Sequence, residues 1–269
     1  MASAPAPPVP ARRRLRIGQL EVDVLGLDEA LAAIEALVVA GRGGAVFTPN
    51  VDHVVKAERD AELRAAYAAA DLSLADGMPL VWTSRLLGTP LPERVAGSDL
   101  VLPLAALAAR RGWRVYLVGG APGDAARAAE VLAREPGVEI AGVDAPTLDL
   151  SPAGAVAARA AAERVRAARP DLVLAAFGAP KQELWIHRHR ELLRPAVALG
   201  VGASLAFVAG TIPRAPRWMS RAGLEWLHRL GREPRRLWRR YLVEDAAFAP
   251  ILLRTWREAR RARGGGGAG

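Results

Sequence analysis

The stretch Asp171–Glu183 reads DLVLAAFGAPKQE and determines the fold class. Its first seven residues are apolar except for Asp171, which is typical of a strand that is buried on both faces of a sheet. Gly178 and Pro180 end this strand, and Lys181 begins a segment with a helical pattern. The sequence therefore predicts a strand, a tight turn and a helix in succession, as in a parallel α/β sheet.

Outward from this unit, strand and helix patterns alternate along the chain. Further apolar runs of strand length are Ala45–Thr48, Asp71–Leu74, Arg114–Val118, Val138–Val143 and Ala196–Val201. Alanine-rich segments of helical length separate them, among them Asp28–Ala40, Ala121–Arg134 and Ala153–Ala168. Arg16–Leu25 alternates apolar and polar residues and suits an edge strand or a small hairpin. We predict an α/β fold, with a Rossmann-like, mainly parallel sheet and helices on both faces.

Charge divides the chain into a neutral body and a basic C-terminal segment. The net charge is +9, and Arg214–Arg263, with fourteen arginines and five acidic residues, carries all of it. This segment also holds four of the seven tryptophans, and prolines interrupt its helical pattern. We predict a disordered leader (1–14), a catalytic domain (15–210), a basic, tryptophan-rich helical appendage (211–263) and a flexible tail (264–269).

Missing residue types exclude several kinds of site. The chain has no cysteine, which excludes disulfides, zinc–thiolate sites and a cysteine nucleophile. It also has no Asp-x-Asp motif, the usual magnesium clamp of nucleotide-sugar transferases.

Pro195–Pro213 is uncharged over nineteen residues, but its three glycines favour a buried strand and a turn over a membrane span. The start of the chain lacks an apolar core of signal-peptide length, so we do not expect secretion.

Several predicted strands end in glycine or polar residues. The loops concerned are Thr48-Pro49-Asn50, Asp76-Gly77, Gly119-Gly120 and Gly178. In open parallel sheets, ligands bind in the crevice outside the carboxyl ends of the strands. We therefore expect these four loops to face one site.

Each polar candidate in these loops has two interpretations. Asp76 can point into the crevice as a general base, or it can be the N-cap of a helix that begins near Pro79. Thr48 and Asn50 can hold sugar hydroxyls or an acetamido group, or they can cap the helix that follows.

The two glycine-rich loops are equally open to interpretation. Gly119-Gly120-Ala121-Pro122-Gly123 can hold a nucleotide at a helix N-terminus, or it can only turn the chain tightly. Its spacing is not the G-x-G-x-x-G of dinucleotide-binding proteins, so it is a weak signal for NAD. Lys181 and Gln182 offer an ammonium group and an amide to a ligand, or they belong to an ordinary capped helix start.

Together these stretches resemble the WecG/TagA/CpsF glycosyltransferase family, and the similarity extends from about Leu15 to Tyr241. The matching blocks, in the family's order and spacing, are Thr48-Pro49-Asn50, Ala70-Asp71-Leu72, Asp76-Gly77, Glu93–Leu100, Leu117–Gly120, Gly178–Glu183, Arg214–Pro216 and Gly223–Leu230. One small departure is His228, where tyrosine is common in the family, and no functional conclusion follows from it.

The resemblance implies roles for individual residues. Asp76 is expected to be the catalytic base. The donor–acceptor pocket is expected to be lined by Thr48, Asn50, Arg94 and Gln182, to which we add Gly119, Gly120 and Lys181 as candidate substrate-binding residues. In the family, arginines of a C-terminal appendage are proposed to reach the nucleotide diphosphate, and the matching positions here are Arg229, Arg236 and Arg239.

The resemblance also implies a reaction. Members move UDP-N-acetylmannosamine, its uronic acid or a related UDP-sugar onto a polyprenyl-diphosphate-linked sugar, in the synthesis of cell-surface polysaccharide or of the teichoic acid of the cell wall. We expect a single inverting displacement, with arginines in place of a metal cofactor. We expect a cytoplasmic protein that is peripheral on the inner face of the plasma membrane.

Two other functions use parts of the same sequence. An NAD-dependent oxidoreductase would hold its dinucleotide at Gly119-Gly120, and a nucleic-acid binder would use the basic appendage. Aromatic residues and the run Pro250–Leu253 accompany the arginines, a combination that suits an anionic membrane surface. We therefore expect a membrane partner and no nucleic acid, with a solvated basic helix as the remaining alternative.

Overall fold

The computed structural model describes residues 12–149, 151–216, 219, 224–232, 234–239 and 244–264. Its first elements are two short strands, β1 (Arg14–Ile17) and β2 (Leu20–Asp23), which pair as an antiparallel hairpin separate from the main sheet. The segment with alternating residues at Arg16–Leu25 is therefore a hairpin and not an edge strand of the main sheet.

Six further strands form one parallel sheet. They are β3 (Gly44–Phe47), β4 (Leu72–Ser73), β5 (Arg114–Gly119), β6 (Glu139–Asp144), β7 (Leu172–Ala176) and β8 (Val197–Gly200). Their order across the sheet is β4-β3-β8-β7-β5-β6, and every pair is parallel. The predicted α/β fold with a mainly parallel sheet is confirmed.

Helices connect and cover these strands. The first seven are α1 (Leu27–Ala40), α2 (Val51–Ala57), α3 (Ala61–Ala68), α4 (Met78–Leu86), α5 (Gly97–Arg111), α6 (Asp124–Arg134) and α7 (Ala155–Ala168). They are followed by α8 (Lys181–Arg188), α9 (Arg190–Leu193), α10 (Ser204–Val208), α11 (Glu225–Arg232), α12 (Pro234–Arg239) and α13 (Phe248–Gly264).

The sheet separates two apolar clusters, one on each face. Strand residues alternate between them: Val173 and Ala175 face one cluster, and Leu172 and Leu174 face the other. The first cluster lies under the hairpin, α2, α3, α7, α8 and α13, and the second lies under α1, α5, α6 and α10. Because both faces are covered, the strands must be apolar throughout, which explains the uninterrupted apolar runs in the sequence.

The uncharged stretch between Pro195 and Pro213 forms strand β8 and the short helix α10, as its glycines indicate. Among the described residues, no helix combines the length and the apolar character needed to cross a bilayer.

The last helix of the appendage packs on the body. Ile251 and Thr255 of α13 are buried, and the Thr255 hydroxyl oxygen accepts a hydrogen bond of 3.0 Å from the backbone N–H of Gly18 in the β1–β2 turn. Arg254 on the same helix pairs with Glu58 at 2.6 Å. Thus one face of α13 covers the hairpin, and its arginines lie mainly on the outer side.

Candidate active site

All six parallel strands end at the same edge of the sheet, and the four predicted loops lie along that edge. They do not lie at one point. Strand β4, which precedes Asp76, is four strand spacings from β5, which ends at Gly119. At about 4.8 Å per spacing, these loops are roughly 19 Å apart. We name the loops after β3, β4 and β8 the Asp76 region, and the loop from Gly119 to Asp124 the glycine region.

Asp76 lies at the centre of its region. Its backbone N–H donates a 2.8 Å hydrogen bond to Pro49 O, which joins the loop after β4 to the loop after β3. Its side chain is 31% exposed, and Oδ1 is 3.8 Å from Nη1 of Arg94. The N-cap position of α4 belongs to Gly77, whose φ of +117° suits glycine, so Asp76 is not the N-cap.

Arg94 links Asp76 to two further charged residues. Its Nη2 is 2.8 Å from Oδ2 of Asp99, and the Asp99 carboxylate also pairs with Arg214, the first arginine of the appendage. Asp99 lies in the first turn of α5, where it additionally accepts a hydrogen bond from the backbone N–H of Ala96. The result is a row of alternating charges from Asp76 to Arg214, which fixes the Arg94 guanidinium beside the carboxylate of Asp76.

Thr48 begins and Asn50 ends the loop after β3, which is next to the loop of Asp76. The buried Thr48 hydroxyl donates to Gly200 O at 3.4 Å, so it holds the end of β3 to the end of β8. Asn50 is the N-cap residue of α2, as the capping interpretation predicts, and its side chain is half-buried. Its Oδ1 is 2.9 Å from Nδ1 of His53.

A buried polar network lies directly beneath these loops. Nε2 of His53 is 3.3 Å from Oε1 of Glu183, and both side chains are almost completely inaccessible to solvent. The same oxygen accepts a hydrogen bond of 2.8 Å from Nε2 of Gln182, and Gln182 Oε1 accepts one of 3.0 Å from Gly202 N–H. The Gln182 side chain therefore connects the start of α8 to the end of β8, and it fixes the residues that lie beneath the Asp76 region.

Tyr67 packs against this network, although its buried hydroxyl makes no hydrogen bond to the described residues. Its ring packs edge-on against Phe47 and His53, with centroid distances of 5.2 and 6.0 Å. Burial raises the pKa of the phenol well above its usual value, and the nearby carboxylates of Glu183, Asp76 and Asp52 raise it further. Tyr67 therefore stays protonated in the folded protein.

Sequence reasoning missed His53, Glu183 and Tyr67. His53 and Glu183 are 130 residues apart and meet only because β3 and β7 flank β8 in the sheet. One signal is present in the sequence, because Glu183 follows Gln182 in a block that matches the family.

Lys181 lies away from the Asp76 region. Its ammonium group donates a 3.0 Å hydrogen bond to Leu148 O in the loop after β6, and the residue is exposed. The structure thus brings together Thr48, Asn50, Asp76, Arg94 and Gln182. The ammonium group of Lys181 instead lies farther along the same edge of the sheet, towards β6.

The glycine region offers backbone instead of side chains. Gly119, Gly120 and Gly123 all have φ near +90°. A Cβ on Gly119 would lie 2.8 Å from Cδ1 of Phe177, so the tight-turn interpretation accounts for this glycine. At the N-terminus of α6, Oδ2 of Asp124 accepts from the backbone N–H of Ala121 at 3.1 Å. Because this carboxylate already occupies the helix N-terminus, the loop suits an uncharged ribose or base better than a phosphate.

The start of the appendage crosses between the two regions. The hydroxyl of Thr211 lies 2.8 Å from Oδ1 of Asp124 in the glycine region, and Arg214 pairs with Asp99 beside the Asp76 region. The guanidinium of Arg214, which had no role in the sequence prediction, therefore lies close to Arg94.

The three arginines expected at the diphosphate are farther along the appendage. Arg229 is in α11 and Arg236 in α12, and the side chains of both lie outside the described residues. Arg239 is exposed, with Nε 3.7 Å from Oε1 of Glu244. Its role stays a prediction. Across the described part of the chain, no three histidine or carboxylate side chains are grouped as a metal site requires.

Comparison with known proteins gives the same family over most of the chain. The model of the family described as "Glycosyl transferase WecG/TagA/CpsF family" matches residues 15–262. An N-acetylglucosaminyldiphosphoundecaprenol N-acetyl-beta-D-mannosaminyltransferase of Bacillus spizizenii strain W23 is 37% identical over 213 residues, which are 78% of this chain and 79% of that protein. A protein of the same name from Bacillus subtilis strain 168 is 33% identical over 203 residues, 74% of this chain and 75% of that protein.

Proposed function

The chain belongs to the WecG/TagA/CpsF glycosyltransferase family, and we propose that it transfers N-acetylmannosamine, or its uronic acid, from UDP to a polyprenyl-diphosphate-linked N-acetylglucosamine. The names of both relatives, which specify a mannosaminyltransferase and an N-acetylglucosaminyldiphosphoundecaprenol acceptor, support this choice of substrates. The observation that carries the proposal is the partly exposed Asp76 carboxylate, held beside Arg94 at the carboxyl edge of the sheet. The NAD-dependent oxidoreductase is set aside, because the family is one of glycosyltransferases.

In the proposed reaction Asp76 is the general base. An acceptor hydroxyl forms a bond to the anomeric carbon, its proton passes to Asp76, and the bond from that carbon to the UDP oxygen breaks with both electrons leaving on UDP. A positioned base of this kind contributes on the order of 10²–10⁴-fold to the rate. Because the displacement is single, the configuration of the anomeric carbon inverts.

The geometry supports one orientation of the donor. The sugar must lie at Asp76, and the backbone-lined glycine region, roughly 19 Å away by strand spacing, suits the far end of the nucleotide. The uracil and ribose then lie near Gly119 and Gly120, and the diphosphate lies between the two regions. That position is beneath the segment from Thr211 to Arg214, which crosses the same gap.

The charge of the departing UDP must be neutralised. We propose that arginines do this without a metal ion, since guanidinium groups bind phosphate oxygens in pairs and the chain has no Asp-x-Asp motif. Arg94 lies beside Asp76 and Arg214 beside Asp99, and Arg229, Arg236 and Arg239 are the appendage residues that the family resemblance adds.

The proposed acceptor suggests where in the cell the protein acts. A polyprenyl diphosphate is held in the bilayer by its lipid chain, so we propose that the protein is cytoplasmic and docks peripherally on the inner face of the plasma membrane. The product is an intermediate of cell-surface polysaccharide or teichoic-acid synthesis. Each appendage arginine that lies near an anionic membrane surface contributes roughly 1 kcal/mol to binding that surface.

One assay tests the whole proposal. The purified chain is incubated with a lipid-diphosphate-N-acetylglucosamine acceptor and each of UDP-N-acetylmannosamine, its uronic acid, UDP-N-acetylglucosamine and UDP-glucose, with excess EDTA, and products are read by mass spectrometry. We expect transfer from one of the first two donors at an unchanged rate in EDTA. Transfer from none of the four donors would contradict the function, and a strict magnesium requirement would contradict the arginine mechanism.

A further inference from the structure

Helix α4 begins directly after the proposed base and carries an unusual outer face. Its inner side, with Leu80, Val81, Thr83 and Ser84, is buried against the body. On the outer side Trp82 is 47% exposed and Leu86 is 61% exposed. These two residues are one helical turn apart and therefore lie side by side on one face.

Basic residues surround the carboxyl end of this face. Arg85 is exposed on α4 itself. Nη2 of Arg13, from the segment before the hairpin, donates to Oγ1 of Thr89 at 3.1 Å, and Nη2 of Arg263, from the end of α13, donates to Leu87 O at 2.7 Å. Three separate parts of the chain thus bring a guanidinium to the end of one short helix.

We infer that the carboxyl half of α4, with Trp82 and Leu86 and the basic rim of Arg13, Arg85 and Arg263, is the surface through which the protein contacts an anionic bilayer. Tryptophan favours the headgroup level of membranes, and arginine pairs there with anionic lipid. Specific protein partners usually cover about 800 Å² on each side, whereas two apolar side chains offer far less. The chemistry of the face therefore fits a lipid surface better than a protein partner.

The position of this face explains how the proposed reaction reaches its acceptor, and in this respect the inference rests on the proposed function. Asp76 precedes the first residue of α4, and the nine residues of the helix span about 13 Å at 1.5 Å per residue. A diphosphate and one sugar separate the lipid chain from the reacting hydroxyl. With the carboxyl end of α4 at the headgroups, the amino end holds Asp76 at a height that such an acceptor reaches.

The surface differs from the one expected from the sequence, which relied on the appendage alone. On α13 Ile251 and Thr255 face the body and are buried, and Leu253 is 45% exposed. Arg263 of that helix contributes to the rim, and Trp82 and Leu86 add an exposed apolar contact from the catalytic domain to those of Leu227, Trp238 and Leu253 in the appendage. The inferred membrane contact therefore lies on the helix that follows the proposed base, with only Gly77 between Asp76 and its first residue.

The test compares two double variants of the full chain, Trp82→Ser/Leu86→Ser and the control Val39→Ser/Val156→Ser. The control residues, on α1 and α7, are 58% and 80% exposed. Co-sedimentation with phosphatidylglycerol vesicles should fall at least about 10-fold for the α4 variant and stay unchanged for the control. Transfer to acceptor embedded in vesicles should fall similarly, and transfer to a soluble short-chain acceptor should stay within about 2-fold of the original.

Several results would overturn the inference. They are vesicle binding by the α4 variant equal to that of the control, equal loss of transfer to both acceptors, and loss of self-association in place of vesicle binding, which would identify the face as a contact between two copies. If the unaltered protein transfers sugar to neither acceptor, the proposed function fails, but the vesicle result still decides the membrane contact.

A second measurement does not depend on the stability of the serine variants. Brominated lipids quench tryptophan at short range, so the unaltered protein on brominated vesicles should show a quenched component that Trp82→Phe lacks. Equal quenching in the two proteins would contradict the contact.

Discussion

The Asp76 region and the glycine region lie on the same edge of the same sheet, yet they are built differently. In the Asp76 region, side chains from the loops and from helices α2, α5 and α8 are joined by hydrogen bonds and ion pairs, down to the buried pair of His53 and Glu183. In the glycine region, three residues with positive φ expose backbone, and the nearest carboxylate, Asp124, is already bound to Ala121 N–H.

In the proposed reaction, this difference divides the work between the two regions. A catalytic base must keep a fixed position relative to the reacting atoms, and its side chain stays fixed only if its partners are themselves held in place. A ribose and a nucleobase need only the close approach of the protein backbone, which glycine permits. We therefore expect substitutions in the Asp76 region to reduce turnover and substitutions in the glycine region to reduce nucleotide affinity.

The largest effect should come from Asp76→Asn. The amide cannot accept the acceptor proton, so turnover should fall at least about 100-fold while circular dichroism stays unchanged. The matched control is Asp124→Asn, an aspartate at the start of α6 in the glycine region, for which we expect a loss of less than about 10-fold. Equal losses in the two variants would remove the distinction between the regions.

The next largest effect concerns stability. Glu183→Ala leaves Nε2 of His53 and Nε2 of Gln182 without their shared acceptor in a buried site, which should cost about 2 kcal/mol of unfolding free energy in urea titrations. Glu62→Ala, which breaks only a surface pair with Arg188, should cost less than about 1 kcal/mol. If the two variants lose the same stability, the network does not support the Asp76 region as described.

A smaller effect is expected in the glycine region. Gly120→Ala places a Cβ 3.1 Å from Cβ of Asp124 at a φ of +87°, which should raise the donor KM by roughly 5-fold with little change in kcat. Gly112→Ala, at φ +67° with open space around it, carries the same backbone strain far from the site. Its KM should stay unchanged, and a parallel rise in both variants would indicate general destabilisation.

The smallest effect should be that of Arg214→Ala. Its pair with Asp99 is partly exposed, so the unfolding free energy should change by less than about 1 kcal/mol. Turnover should fall roughly 2- to 5-fold, for two reasons. Asp99, which pairs with Arg94, loses its second arginine partner, and the proposed diphosphate site loses a cation. Arg254→Ala, in the exposed pair with Glu58, is the control and should leave turnover unchanged.

Much of the fold could be predicted from the sequence, because strands buried on both faces leave uninterrupted apolar runs. Arg114–Val118 corresponds to β5, and Asp171–Phe177 contains β7. The strand partner of Arg16–Leu25 could not be predicted, because an alternating pattern shows which side of a strand is buried but not which strand it pairs with. Strand order was likewise beyond the sequence, since it depends on contacts between distant segments.

The site could be predicted only in part. Asp76 is a candidate from its place after a strand as well as from the family resemblance, Arg94 is one from the resemblance alone, and the structure places the two side chains 3.8 Å apart. His53 and Glu183 could not be found from residue type, since polar residues in the first turn of a helix are usually caps or surface residues. Gln182 was expected at the pocket, but its amide is occupied by Gly202 and Glu183.

Calorimetric titration of UDP into Asp76→Asn and Gly120→Ala tests the division of work most directly. We predict that Asp76→Asn binds UDP within about 2-fold of the original affinity despite its loss of turnover, whereas Gly120→Ala binds it several-fold more weakly. The contradicting result is the reverse pattern, in which Asp76→Asn loses UDP affinity in proportion to its turnover and Gly120→Ala binds UDP normally.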